Sequence, residues 1–310
     1  MVATRSLVLL SIVGVLGAAA RDVPANVLSF YNSLKTGGAC SNPLETGFRD
    51  TDGGPDTFSY CGDHLADFGI VYITGEGGAL ANMDIDCDGA QAGEGRCGNS
   101  DDIQSQTAFK DVVASYGAGI DDLDANIHPF VVFGNDGSAP GWTNFDPQEF
   151  GIEPLSLMAV VCGDQLIYGV WGDTNGDDDP DPLVGEASLS LATACFGNSM
   201  TGDNGHGEED VLYIGFTGAG AVPGADGADW AAASFAAFES SIAALGDQLV
   251  AKIGGTGGGT TTTTTGTGSG EEVPGSTGGC SWDGHCAGAP CGDENDCSDD
   301  LVCKRGLCAA

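Results

Sequence analysis

The apolar positions of this chain fall in short runs. Residues 70–74, 129–133, 157–162, 166–171, 187–196 and 211–216 are each a few aliphatic, β-branched or aromatic residues, flanked by Gly, Asp, Asn or Pro. Some alternate with polar positions, as in Ser188-Leu189-Ser190-Leu191. Runs of this length, bounded by turn formers, predict strands. Two stretches keep a helical period instead. The first is 27–35, with Val27, Leu28, Phe30, Tyr31 and Leu34. The second is the Ala-rich 229–252, with Trp230, Phe235, Phe238, Ile242, Leu245 and Leu249, for which Asp229 is the expected N-cap. The pattern predicts a mainly β fold: a β-rich, barrel-like core with peripheral helices, for which α+β is the neighbouring label.

Punctuation and composition divide the chain further. Residues 1–20 carry Arg5, an apolar run too short to span a bilayer comfortably, and Ala18-Ala19-Ala20, the form of a secretory signal peptide. Residues 21–253 are long enough for one domain burying roughly 70% of its unfolded surface. Residues 254–279 are nearly all Gly, Thr and Ser, which cannot build a core and read as a flexible linker. Residues 280–310 hold six of the twelve cysteines, the make-up of a small disulfide-rich C-terminal module. CSWDGHCAGAPCGDENDCSDDLVCKRGLC resembles the cysteine-rich modules appended to some fungal polysaccharide-active enzymes, which implies polysaccharide binding. The plainer reading is a protease-resistant cap or a module with another partner. The other six are Cys40, Cys61, Cys87, Cys97, Cys162 and Cys195, and Cys87–Cys97 and Cys162–Cys195 are the expected local pairs. A leader and even cysteine numbers imply a secreted, extracellular protein with disulfide bonds. No later run qualifies as a membrane span, and a monomer is expected.

Charge narrows the partners. Between Arg21 and Ile253 there are 37 acids and 6 bases, a net −31. Such a field repels nucleic acid and anionic lipid and attracts polycations; the plainer reading is solubility in an acid-tolerant secreted protein. Within it, Asp173 follows the run ending Tyr-Gly-Val-Trp-Gly and Glu186 opens the next one, with a loop rich in Asp, Gly and Pro between them. Two carboxyls held on separate rigid elements are the minimal equipment for glycoside hydrolysis, and like charge raises the pKa of whichever must stay protonated. The same residues also read as two solvated acids at a loop mouth.

Other motifs carry less. Asp84, Asp86, Asp88 and Gly89 begin like a D-x-D-x-D-G calcium loop, but position 95 is Gly where an acid is required. In a strand Asp84 and Asp86 would share one face, so an acidic substrate-binding wall is the better reading, with Asp177, Asp178 and Glu208 as further candidates. His64, His128, His206 and His285 form no zinc motif, His128 reads as structural, and G-x-S-x-G is absent. No metal or other cofactor is called for. Trp142, Tyr168, Trp171 and Tyr213 are aromatics able to stack on sugar rings, of which Trp171 stands beside Asp173.

In order along the chain, MDIDCDG, the TAF of Thr107, Ala108 and Phe109, PFVVFG, YGVWGDTNG, VGEASLSLATACFG and GHGEEDVLYIGFTG resemble the fungal chitosanases of glycoside hydrolase family 75. The resemblance spans nearly all of residues 21–217. It implies a secreted endo-acting hydrolase of β-1,4-linked glucosamine polymer, working with inversion. The family's two essential acids match Asp173 and Glu186, with Glu186 as general acid and Asp173 as general base; the intervening DDDPDPLV is longer than the family's loop. The charge argument converges on the same substrate, because chitosan carries ammonium groups in mildly acidic media. The alternatives are a non-catalytic secreted protein binding calcium or cationic polysaccharide, and a hydrolase of a related neutral polymer.

Overall fold

The computed structural model describes residues 21–98, 100, 103–176 and 181–254, and two short strands near the C-terminus. The chain divides into two units, one through Gly258 and one from Gly259 onward. The first runs β1 (Arg21–Asp22), α1 (Ala25–Gly37), β2 (Pro43–Phe48), β3 (Phe58–Cys61), β4 (Ile70–Gly75), β5 (Ala81–Asp86), α2 (Lys110–Ser115) and β6 (Phe130–Asn135). It continues with β7 (Leu157–Cys162), β8 (Gln165–Asn175), β9 (Glu186–Ser188), α3 (Leu189–Phe196), β10 (His206–Phe216) and α4 (Phe235–Val250). In the second unit the described residues are β11 (Val302–Lys304) and β12 (Leu307–Ala309), an antiparallel pair with Cys303 opposite Cys308. The leader and the linker lie outside the described residues, as does the rest of the cysteine-rich segment.

The expected barrel-like core is present as a closed ring. Neighbouring strands run β8-β6-β9-β5-β10, and β7 hydrogen-bonds to both β10 and β8, which closes six strands on themselves. The strands β4, β3 and β2 extend outward from β10. Closure explains the run-like apolar pattern. A strand in such a ring faces apolar side chains on both sides, so β6 and β7 are buried along their whole length, as is β4 beside the ring.

Two apolar clusters lie on the two faces of these strands. Leu212, Ile214, Ala159, Tyr168 and Val170 join the helical residues Val27, Phe30, Phe238, Ile242 and Leu249. Val211, Tyr213, Val160, Ile167, Val131 and Ala187 form the other with Leu189 and Leu191 of α3. Each fully buried aliphatic or aromatic side chain contributes about 1.5–3 kcal/mol. Three disulfides pin this unit: the expected Cys87–Cys97 and Cys162–Cys195, and Cys40–Cys61. No helix among the described residues is long and apolar enough to cross a membrane.

The elements depart from the sequence pattern in two places. The run 187–196, expected as one strand, is a strand only through Ser188 and then becomes α3. Alternation in Ser-Leu-Ser-Leu looks like a strand, but Ser188 is a helix cap: its Oγ accepts from Leu191 N at 3.4 Å. Five of the eight residues of α3 are buried, so no polar face marks its period. The second departure is the start of α4. Its N-cap is Ser234, whose Oγ accepts from Ala237 N at 3.3 Å, and Asp229 lies five residues upstream in a turn. Trp230 is buried from that turn, outside the helix.

Ser188 also accepts from Phe130 N at 3.0 Å, so one buried hydroxyl ties β6 to the β9–α3 junction. Ser188→Ala removes a cap and leaves that N–H unpaired. It is expected to cost about 1–3 kcal/mol and to lower Tm by several degrees in thermal unfolding.

Candidate active site

Strand register assembles the site. β5 and β9 are parallel with Asp84 opposite Glu186; β9 and β6 are antiparallel with Glu186 opposite Val132; β6 and β8 are parallel with Val132 opposite Asp173. Asp84, Glu186, Val132 and Asp173 therefore form one row across four strands. The two candidate acids do not sit on neighbouring strands meeting at their loop, as the sequence suggests. β6 lies between them, and two strand spacings put their backbones about 10 Å apart.

Two glycines set this register. Between Val131 opposite Trp171 and Val132 opposite Asp173, β8 carries one extra residue, Gly172. Such a bulge re-aims the residue that follows. A Cβ on Gly172 would meet Phe130 Cβ at 2.5 Å, so only glycine fits. Gly185, just before Glu186, has φ +95° and its carbonyl accepts from Asp84 N at 2.8 Å. A Cβ there would meet Asn82 Oδ1 at 2.4 Å.

Asp173 is buried at 7% exposure and heavily supported. Its Oδ1 accepts from Ala108 N at 3.0 Å and Thr174 N at 2.7 Å, and its carbonyl accepts from Trp171 Nε1 at 2.8 Å. The TAF tripeptide explains itself here. Thr107 is anchored by Asp122 through its N–H and hydroxyl, Ala108 donates to Asp173, and Phe109 packs edge-on against Trp171. Asp173 Oδ2 is buried and, among the described residues, has no hydrogen-bond partner.

Closure of the ring brings a second strand's acid to Asp173. Asp86 of β5 is 5% exposed, and carboxylate oxygens of Asp86, Asp88 and Asp173 lie within 4.8 Å of one another. Burial pushes Asp173 up to about 8, the charges of Asp88 and Asp122 adding to it against the two backbone N–H donors. Burial likewise holds Asp86 well above the usual carboxylate range, with the charges of Asp173, Glu186 and Asp88 adding. Asp86 Oδ1 accepts from Asp88 N at 2.6 Å. Asp84, in the same row, reaches solvent over a buried base. That base and the charges of Asp50 and Asp52 push its carboxyl up to about 6, against a hydrogen bond from Asn82. Glu186 is half-buried at the head of β9.

The remaining candidates divide. Asp84 and Asp86 share a strand face as expected, Asp84 open and Asp86 buried. Trp171 is 1% exposed and works as a support under Asp173, with no open face for a sugar ring. Tyr168 and Tyr213 are fully buried, and the ring of Trp142 packs against Gly137. Glu208 is exposed and pairs with His206 at 3.2 Å. Asp177 and Asp178 lie outside the described residues. His128 is buried, accepting from Asp124 N and bonded to the Trp230 carbonyl, the structural role its place suggested. Three clustered carboxylates also supply part of a cation's oxygen shell, while the Cys40, Cys61 and Asp63 group offers no thiolate because its cysteines are joined.

Raised pKa values have a consequence for stability. Asp86 and Asp173 bind protons more tightly folded than unfolded, so their contribution is complete below the ordinary carboxylate range and is lost as pH rises toward about 8. Stability is expected to fall between pH 4 and 8, and Asp173→Asn to flatten that decline in thermal melts across the range.

Comparison with known proteins identifies the family. Residues 83–252, which include the whole acid row, match the family described as fungal chitosanase of glycosyl hydrolase group 75. The chain is 49% identical over 241 residues to an endo-chitosanase of Aspergillus oryzae, covering 76% of this chain and 94% of that one. It is 48% identical over 247 residues to an endo-chitosanase of Aspergillus fumigatus, covering 79% and 97%. Endo-chitosanase C of Aspergillus oryzae is 36% identical over 243 residues, covering 74% of this chain and 56% of its own length. A chain with these relatives, and with this row of acids inside the matched segment, belongs to the fungal chitosanases of glycosyl hydrolase group 75.

Proposed function

We propose that this protein is a secreted endo-hydrolase of chitosan that cleaves β-1,4 linkages between glucosamine units with inversion, using Glu186 as general acid and Asp173 as general base. The observation that carries the inverting mechanism is the shared register partner Val132. A strand between the two acids leaves their backbones about 10 Å apart, which favours the wider carboxyl separation of an inverting pair, roughly 6.5–9.5 Å with room for a water, over that of a retaining one. A retaining pair needs about 5–5.5 Å, the reach of adjacent strands.

The roles follow from surroundings. Glu186 is half-buried and open to a leaving group. Asp173 has one oxygen fixed by two N–H groups, while the other, buried and without a hydrogen-bond partner among the described residues, is the one left to take a proton from a water admitted with the substrate. Of the two buried carboxyls, Asp173 has the donors that stabilise an anion, so it is the one that ionises once substrate is bound, while Asp86 keeps the proton. An ammonium arriving with the substrate favours that ionisation, because a nearby positive charge lowers a carboxyl's pKa. The net charge of −31 over residues 21–253 draws the polycation in. The three disulfides fit a secreted route. The segment 280–310 is proposed as a separate module that keeps the enzyme on insoluble polymer.

The test is reducing-end release from soluble chitosan. Glu186→Gln and Asp173→Asn are each expected to lower kcat about a hundred- to ten-thousandfold while leaving the fold intact. Parent protein without activity across mildly acidic pH, or variants within a few-fold of it, would refute the assignment. A second outcome concerns pH. Asp88→Asn removes a like charge beside Asp173, so the acidic limb of kcat/KM should move toward lower pH. An unmoved limb would take the base role away from Asp173.

A further inference from the structure

A cavity of about 470 Å³ opens beside Asp173, walled in part by Ala108, Trp171 and Thr174, the residues that hold that carboxyl in place. We infer that this cavity is a subsite for one amino-sugar residue of the substrate chain, with its ammonium held by Asp136 and Asp146. The inference rests on the chitosanase reading above and adds to it a site of charge recognition away from the bond being cut.

Position comes first. A polymer lying across the acid row must leave it on some side, and the wall of Asp173 is one edge of this cavity. Its volume falls within the range of small-molecule sites, roughly 300–1,000 Å³. Its chemistry is that of an amino sugar. Phe109 gives an apolar surface; Asn135, Asn144 and Asn175 give amides for hydroxyls; Asp136 and Asp146 give negative charge; and among the described residues no Lys or Arg lines it. Among the described residues, neither of those two carboxylates has an ion-pair partner. A neutral sugar could offer both acids only hydroxyl donors, whereas an ammonium also answers their charge.

A second observation points to a ligand independently of charge. Asn135 lines the cavity at 1% exposure. Its Nδ2 donates to Tyr60 Oη at 3.2 Å and the Leu183 carbonyl at 3.1 Å, and its Oδ1 is buried and, among the described residues, without a hydrogen-bond partner. A buried acceptor left open is costly unless something donates to it. A sugar hydroxyl or ammonium is such a donor.

The frame is also fixed beforehand. Asn135 and Phe145 exchange both backbone hydrogen bonds, at 3.0 and 2.9 Å. Asp136 N donates to the Asn175 carbonyl at 2.8 Å, which ties the hairpin to the end of β8. Asn144 closes the turn through Gly137, accepting its N–H at 2.7 Å. Asp146 Oδ1 caps a short helical turn by accepting from Gln148 N at 2.9 Å. Both carboxylates are exposed on a rigid hairpin, so little ordering is needed on binding.

The experiment is steady-state kinetics of parent, Asp136→Asn, Asp146→Asn and the double variant, on fully deacetylated and on partly acetylated chitosan, at low and high salt. Asparagine retains the Oδ1 that caps the turn, so the fold is kept and only charge is lost. Each single variant is expected to raise KM for deacetylated chitosan about three- to tenfold, with a smaller effect on kcat. The preference for deacetylated over acetylated polymer should shrink, and the loss should fade at high salt. An active parent whose KM and substrate preference are matched by the double variant would overturn the subsite while leaving the activity standing. A parent inactive on chitosan would overturn the activity itself, and the subsite with it.

Discussion

Everything in this site depends on carboxyls kept close together out of water. Asp86 and Asp173 stand on strands that are not hydrogen-bonded to each other, and their oxygens still come within 4.8 Å of each other and of Asp88. Closure of six strands into a ring allows that approach. Two buried carboxylates this near cannot both ionise easily, so the cluster retains protons well into the neutral range. The backbone answers part of the strain by giving Asp173 two N–H donors through Ala108 and Thr174. A protein built this way is ready to accept positive charge, and its most perturbed acids lie where the proposed chemistry needs a proton moved.

The supports are distributed over distant parts of the chain. The TAF tripeptide, held by Asp122, reaches Asp173 from the segment before α2. The Gly172 bulge turns Asp173 into the row. Gly185 sets the path into Glu186. Ser188, two residues after Glu186, caps α3 and anchors β6 through Phe130. Substitutions at these points act on geometry before they act on chemistry. They are expected to alter activity without touching substrate.

Much of this was legible in the sequence, and the part that was not has identifiable causes. Short bounded apolar runs predicted the strands and the barrel-like core, and Asp173 and Glu186 stood out because each joins a strand to an acidic loop. The spacing of Cys87–Cys97 and Cys162–Cys195 was local enough to pair by inspection. The fate of 187–196 was hidden because a helix buried on nearly every side has no polar period, and Ser188 gave the only mark of its start. Asp86 reads in sequence as one more surface acid beside Asp84; its burial comes from ring closure, which alternation cannot report. Asp136 and Asp146 carry no motif at all. They reach Asp173's neighbourhood through the bridge of Asn135 with Phe145 and the tie to Asn175. Ala108 acts through its backbone N–H, which any residue but proline would offer.

The most direct measurement is a carbon-13 NMR titration of the Asp173 side-chain carboxyl in the free protein, assigned by its loss in Asp173→Asn. The account predicts a midpoint near 8, well above the ordinary 3.8, and a drop in that midpoint when a glucosamine oligosaccharide is bound. A midpoint in the ordinary range in the free protein, unmoved by the oligosaccharide, would contradict it.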